Sequence, residues 1–272
     1  MDELNLDPDQ LERYARQLVL DGFGADGQAA VRDARVLVVG AGGLGSPAIM
    51  YLAGAGVGEL VIVDDDVVER SNLHRQIIHG VDDLGRPKVA SAADWIEAHN
   101  PDVSVDARHD ELTQATVDDV LAGVDVVVDA TDRFDARFML NDATVLAEIP
   151  LVYGAVYRFE GQVGTFDPRG DGPCYRCLFP EAPPPDTVAD CATAGVLGPV
   201  PGTIGAMQAA QALSALIDGE PSDSSRLLVV DLAAFDIDTL EVEANPGCPV
   251  CGDDPAIESV DDVAYTGRCA IE

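Results

Sequence analysis

Apolar residues fall in short runs, separated by polar turns and by stretches of helical period. Runs 36–39 and 60–63 are unbroken, the pattern of strands buried on both faces of a parallel sheet. Between them, 46–55 is rich in small and apolar residues and predicts a closely packed helix. Farther along, 103–107 alternates, 124–130 is another buried run, and 150–166 predicts strands joined through Glu160-Gly161. The last strands are expected at 227–230 and 235–242, with Ile237, Leu240 and Val242 turned to the core or, as the alternative, forming a docking face for a partner. Helical spacing covers 11–20, with Leu11, Tyr14, Ala15 and Leu18 on one face. It recurs behind Pro87 through Ile96, at 117–121, at 141–147 and at 202–217. Strand and helix alternate, which predicts an α/β fold: a Rossmann-like open, predominantly parallel sheet with a β-rich C-terminal part. The chain should form one domain over 1–253, a nucleotide-binding half to about 150 and a second part to 253. The proline-rich run within 180–193 predicts a mobile crossover loop, and 254–272 reads as a flexible acidic tail.

The first strand ends in Gly40-Ala41-Gly42-Gly43-Leu44-Gly45, and the second ends on Asp64. Strand, glycine turn, helix, strand and then an acid about 20 residues on is the fingerprint of a dinucleotide or nucleotide site. The glycines let the backbone approach a phosphate at a helix N-terminus, and the acid accepts from ribose hydroxyls. Ser71-Asn72-Leu73-His74-Arg75-Gln76 then offers two amides and a forked cation suited to ribose and phosphate oxygens. Lys88 falls in a first helical turn, and Asp132 lies just beyond the run 124–130, where an acid can hold Mg²⁺ against phosphates. Cys174-x-x-Cys177 and Cys248-x-x-Cys251 are two thiolate hooks with the spacing of a closed structural Zn²⁺ site; two disulfides or two redox pairs are the alternatives.

With these residues assembled, the chain resembles the E1-like activators of ubiquitin-like proteins. That family includes the molybdopterin- and thiamine-pathway sulfur-carrier adenylyltransferases and their archaeal counterparts. The resemblance rests on the glycine turn, Asp64, the SNLHRQ segment, Lys88, Thr131-Asp132 and the two cysteine pairs, and runs from Arg13 to Cys251. It implies ATP-dependent adenylation of the C-terminal glycine carboxylate of a small ubiquitin-fold protein ending in Gly-Gly. In that reading Gly40, Gly42, Gly43, Gly45, Asp64, Ser71, Asn72, Leu73, His74, Arg75, Gln76, Lys88, Asp132 and Arg133 bind the nucleotide. Arg75, Lys88 and Asp132 act on the phosphates and Mg²⁺. Arg16 matches an arginine that reaches the neighbouring subunit's phosphates, which implies a homodimer. Many relatives carry asparagine where this chain has Arg133. Cys191 matches the family's reactive cysteine, through which some members pass the acyl group by a thioester or persulfide-type linkage. Product fates include protein conjugation, molybdopterin synthesis and tRNA thiolation. An NAD(P)-dependent oxidoreductase would share the glycine turn but leaves the SNLHRQ segment, Lys88 and the four cysteines unexplained. A non-catalytic binder of a ubiquitin-like protein would lack the phosphate ligands, which are present. Cys269 is assigned no role.

Charge refines this picture. The 272 residues carry 49 acids against 16 bases, a formal −33, and every base except Lys88 is arginine. Such a surface repels nucleic acid and anionic membrane, so neither is an expected partner. No apolar run reaches the roughly 18 residues that span a bilayer, and the acidic beginning of the sequence is unlike a signal peptide, so the expected location is cytoplasmic. Acid excess with lysine nearly absent points to a high-salt cytoplasm; joined to the resemblance, this implies a haloarchaeal version of the family that activates small archaeal modifier proteins. Counterions are needed to screen this self-repulsion. Folding and activity should therefore strengthen as KCl is raised into the molar range; full activity at low salt would overturn the reading.

Overall fold

The computed structural model describes residues 6–181, 195–217 and 225–265. Eight strands make one sheet: β1 (Arg35–Val39), β2 (Glu59–Val63), β3 (Ser104–Arg108), β4 (Val126–Asp129), β5 (Leu151–Tyr157), β6 (Glu160–Phe166), β7 (Arg226–Asp231) and β8 (Asp236–Glu241). Their order is β3-β2-β1-β4-β5-β6-β7-β8. The first five are parallel, and β5 to β8 continue as antiparallel neighbours. The strand order reverses between β1 and β4, and ligands of open α/β sheets sit at the carboxyl ends of strands beside such a point.

Eight α-helices accompany the strands among the described residues: α1 (Pro8–Leu18), α2 (Gly24–Asp33), α3 (Gly45–Ala55), α4 (Lys88–His99), α5 (Val117–Leu121), α6 (Phe134–Leu146), α7 (Tyr175–Leu178) and α8 (Pro199–Ile217). Alternate residues of the parallel strands feed two cores. Val36, Val38, Leu60, Ile62, Val126 and Val128 face α3, α4 and α8, while Leu37, Val39, Val61, Val63 and Val127 face α5 and α6. Both faces are covered, which is why these strands read as unbroken apolar runs. None of the described helices is long and apolar enough to cross a membrane.

Several expectations change. The β5–β6 turn falls at Arg158-Phe159, two residues before Glu160-Gly161, and Arg158 takes a left-handed φ of 54°. Helix α6 begins at Phe134, ahead of the expected 141, because buried Asp135 and Arg137 interrupt its apolar pattern. Helix α2, built from GADGQAAVRD, had no apolar stripe to announce it. Only Tyr14 of α1 is buried, its hydroxyl accepting from Asn100, whereas Leu11 is exposed. Ile237 and Leu240 are exposed on the edge strand β8 and do not pack in the core; Val242, just past the strand, does. Nor is the acidic tail loose between 254 and 265: Ile257 and Val260 are buried, and Gln114 donates to the carbonyls of Val260 and Val263. Apolar Ile257 and Val260, spaced among acids, anchor it. Cys191, the crossover run from 182 on and Cys269 lie outside the described residues.

Glycine spacing is a hard constraint at the first turn. A Cβ on Gly45 would lie 1.8 Å from the Gly40 carbonyl oxygen, and Gly40 itself sits at φ 98°. Gly202, in α8, has nothing within 4 Å of an added Cβ. Gly45→Ala should therefore unfold the protein or cost several kcal/mol. Gly202→Ala should stabilise it by up to about 1 kcal/mol through helix propensity. Urea unfolding of both variants checks the contrast.

Candidate active site

The glycine turn leaves β1 and is held from two sides. The Ala41 amide donates to Asp64 Oδ2 at 2.7 Å, and the Ala41 carbonyl lies 2.9 Å from His79 Nε2. His79 is itself buried, with Nδ1 2.9 Å from Ser91 Oγ of α4. Burial lowers its pKa, so it stays neutral and serves the turn as a fixed hydrogen-bond partner. Gly42 and Ser46 close the first turn of α3 through Ser46 N and Oγ, both donating to the Gly42 carbonyl.

Asp64 caps β2 with its carboxylate directed at this turn. Its other oxygen accepts from the Asp66 amide at 2.9 Å. Burial pushes the Asp64 carboxyl above its usual range, and Lys88 and the two amides pull it back. Lys88 is 5% exposed, with Nζ 2.6 Å from Asp66 and 3.8 Å from Asp64. The backbone fixes this group as well, since Lys88 N donates to the Asp66 carbonyl. The lone lysine thus stands against the acid expected to bind ribose.

The SNLHRQ segment packs over the glycine turn. A 3-10 turn, Arg70–Asn72, opens it, with buried Asn72 Oδ1 accepting from the Glu69 amide; Ser71 is exposed, bonding Glu69 through its hydroxyl, and Leu73 is half-buried. Arg75 Nη1 donates to the Ser71 carbonyl and meets His74 Nε2 at 2.9 Å. Its Cδ would be 3.5 Å from a Cβ on Gly43, and Gln76 Nε2 the same from one on Gly42. Gln76 is buried beside the turn and its Oε1 has no hydrogen-bond donor, an acceptor left for a ligand. The Gly198 backbone seals the outer side, where an added Cβ would touch the His74 carbonyl.

At the end of β4, Asp129 is fully buried and accepts from Arg137 Nε at 2.8 Å and from the Thr131 amide at 3.0 Å. Burial raises the Asp129 carboxyl, and the Arg137 guanidinium opposes it. Arg137 also donates to the carbonyls of Thr131 and Gly154, and Gln208 Nε2 donates to the Asp129 carbonyl. These bonds fix the strand end that presents exposed Asp132 to solvent. Arg133 turns away: it bonds Glu111 and Asp135, so its guanidinium is committed to acids of its own surroundings rather than to the glycine turn. Arg16 is exposed on α1, and no hydrogen bond or ion pair joins it to the turn. Arg13 is used structurally, donating to the His99 carbonyl at the end of α4.

Beyond the antiparallel strands, the four cysteines converge. Cys174, Cys177, Cys248 and Cys251 place their sulfurs within 4.8 Å of one another, with close pairs at 3.3 to 3.6 Å. A tetrahedral ion with Zn–S bonds of about 2.3 Å needs sulfurs about 3.8 Å apart, and all four thiols are free of disulfides. The thiols share their protons: hydrogen bonds from Cys174 and Cys251 lower Cys248, and the same contacts raise Cys174. The Asn245 amide donates to Cys177 Sγ. The residues present fit a structural metal.

Sequence reasoning missed what holds this centre. Consecutive residues of α6 grip the first hook: Asn141 Oδ1 accepts from the Tyr175 amide, and Asp142 takes both Nε and Nη2 of Arg176 at 2.6 Å. Tyr265 donates to the same carboxylate at 2.8 Å, which ties the tail to the hook. The available signal was a helix with five polar residues, Asp135, Arg137, Asn141, Asp142 and Thr144, in positions that all proved buried.

The fold and site define an open α/β protein with a glycine turn at the switch point of its sheet and a four-thiol centre. The chain belongs to the ThiF family, whose model matches residues 14–250. It is 53% identical over 268 residues to a SAMP-activating enzyme E1 of Haloferax volcanii, covering 98% of each chain. It is 46% identical over 265 residues to a sulfur carrier protein adenylyltransferase of Thermus thermophilus, covering 95% of this chain and 97% of the relative. The fold is also that of crystalline E. coli MccB with MccA-N7isoASN, at a TM-score of 0.77 and 22% identity over 93% of this chain and 77% of the other.

Removing one partner of the buried pair leaves an uncompensated charge, at about 3–5 kcal/mol. Asp142→Ala should lose that much stability in urea unfolding, whereas Tyr265→Phe, which removes one neutral donor, should lose about 1 kcal/mol.

Proposed function

We propose that this protein is an ATP-dependent adenylyltransferase acting on the C-terminal glycine carboxylate of a small ubiquitin-like or sulfur-carrier protein. The observation that carries the proposal is the enclosed pairing of Lys88 with Asp64 beneath a glycine turn clamped at Ala41. The naming of its relatives as activating and adenylylating enzymes supports it.

The partner's carboxylate attacks the α-phosphorus of ATP, the bond to the β-phosphate oxygen breaks, and pyrophosphate leaves with the electron pair. A carboxylate is already ionised at neutral pH, so no general base is needed. The chain's task is to align the reactants and neutralise developing charge. Asp64 would accept from the ribose hydroxyls, while the turn at Gly40, Gly42, Gly43 and Gly45 brings backbone amides to the phosphates. Lys88 exchanges its Asp66 contact for a phosphate, and Arg75 releases the Ser71 carbonyl to do the same. Asn72 and Gln76 complete the cradle, with Ser71, Leu73 and His74 forming its rim. Asp132 would hold Mg²⁺, which screens the phosphates when bound. Arg133 is better read as a brace for this strand end, through Glu111 and Asp135, than as a nucleotide contact.

Arg16, exposed and unbonded to its own chain's turn, suits a site completed across a homodimer. The four cysteines would hold structural Zn²⁺, a closed site with no position open for substrate. Cys191 would accept the acyl group after activation, as a thioester, before transfer to conjugation or sulfur chemistry. A cytoplasmic location fits the acidic composition.

ATP–pyrophosphate exchange in molar KCl with Mg²⁺ tests the proposal. Exchange should require a small protein ending in Gly-Gly, and Asp132→Ala should lower it at least about 100-fold, the scale of one lost electrostatic contact to a transition state, while leaving urea unfolding unchanged. Exchange without such a partner, or undiminished in the variant, would overturn the assignment.

A further inference from the structure

The proposed product is a mixed anhydride of a carboxylate and AMP. Such a compound acylates free amines: the nitrogen attacks the carbonyl carbon, a C–N bond forms, and the C–O bond to AMP breaks. AMP leaves with that electron pair, and the amine loses a proton to solvent. An amine held beside the mouth reacts at a high effective concentration, so an enzyme with lysines there would modify itself.

This chain has one lysine among its 16 bases. Its Nζ is enclosed, 2.6 Å from Asp66 and 3.8 Å from Asp64, on a side chain only 6% exposed. The cations near the carboxyl ends of the strands are arginines: Arg70 directly before Ser71, Arg75 within the same segment, and Arg158 at the β5–β6 turn, which pairs with Gly195 and Leu197. Guanidinium groups stay protonated and do not attack acyl carbons. The positive charge that the site requires is thus supplied in a form inert to its own product. Resting on the adenylation reading, we infer that the protein offers its activated product no reactive side-chain amine. Acyl transfer to a lysine side chain of the chain itself is thereby avoided, leaving thiols and external acceptors to receive the group.

Two measurements test this, and the first needs no catalysis. The full chain, folded in molar KCl, is treated with N-hydroxysuccinimidyl acetate and mapped by mass spectrometry. Lys88 should escape acetylation in the folded protein and acquire it in guanidinium; equal labelling in both states would overturn the inference. In the second, wild type, Arg70→Lys and Arg158→Lys are incubated with ATP, Mg²⁺ and a partner ending in Gly-Gly. Wild type should carry no partner on lysine. The variants, which keep the charge and lie outside the phosphate cradle, should gain a partner linkage at the new lysine that resists thiols and hydroxylamine. Partner found on Lys88, or neither variant modified while exchange proceeds normally, would sink the idea. Failure of exchange in all three proteins would instead count against the adenylation reading, and the acetylation result would still decide whether Lys88 is shielded.

Discussion

The Gly40 carbonyl oxygen occupies the space where any side chain at position 45 would have to stand. This close pass of helix α3 over the end of β1 sets where the turn's amides point, and the surrounding groups are arranged to keep it. Ala41 is bonded on both its amide and its carbonyl, by Asp64 from β2 and by His79 from the segment leading into α4. Gly205 of α8 crosses close enough to α3 that a Cβ there would strike the Leu44 carbonyl. A turn fixed this way needs no reorganisation when an anion arrives, which is the condition under which backbone dipoles contribute most to catalysis.

How much of this could be read from the residue order depends on whether a feature is local. The glycine turn, Asp64 and the strands around them were legible because each is a run of neighbours with one physical requirement: apolar on both faces, or no Cβ at all. The cysteine hooks were legible because metal-ligand spacing is short within each hook. The partners of charged groups were not. Asp129 and Arg137 look like surface residues in the sequence, and only the convergence of β4, β5 and α6 buries them together. Arg133 follows the same logic in reverse, since its proximity to Asp132 suggested a phosphate contact and the fold directs it to Glu111 and Asp135. Alternation at 235–242 correctly marked a strand but could not tell that β8 would be the sheet's last, leaving Ile237 and Leu240 uncovered. Nor could composition show that a tail rich in acids uses Ile257, Val260 and Tyr265 to attach itself.

Electrostatics poses a problem that the fold answers locally. On the adenylation reading, a chain with a formal charge of −33 has to bind a polyphosphate. Its long-range field opposes that encounter, and molar salt shortens the field's reach to a few ångströms. What remains is the charge within contact distance. Lys88 is already enclosed there, and Arg75 lies over the turn with its hydrogen bonds made to a carbonyl and a histidine rather than to an acid. Selectivity for the ligand is therefore a short-range matter, compatible with a surface whose acids serve hydration.

Helix α6 joins the two ends of this arrangement. Its first turns carry Arg137, which fixes the strand end beside Asp132 through Asp129 and Thr131. Its next turns carry Asn141 and Asp142, which hold the first cysteine hook through Tyr175 and Arg176. The aromatic rings of Phe138, Tyr153, Phe166 and Tyr175 fill the space between, with Arg137 over Tyr153 and Arg176 over Phe138. A helix packed this tightly transmits displacement as a rigid body, because close-packed interiors have little room to absorb it. A metal bound by Cys174, Cys177, Cys248 and Cys251 would therefore do more than close the C-terminal strands: it would hold the far end of the strut that fixes the strand end beside Asp132.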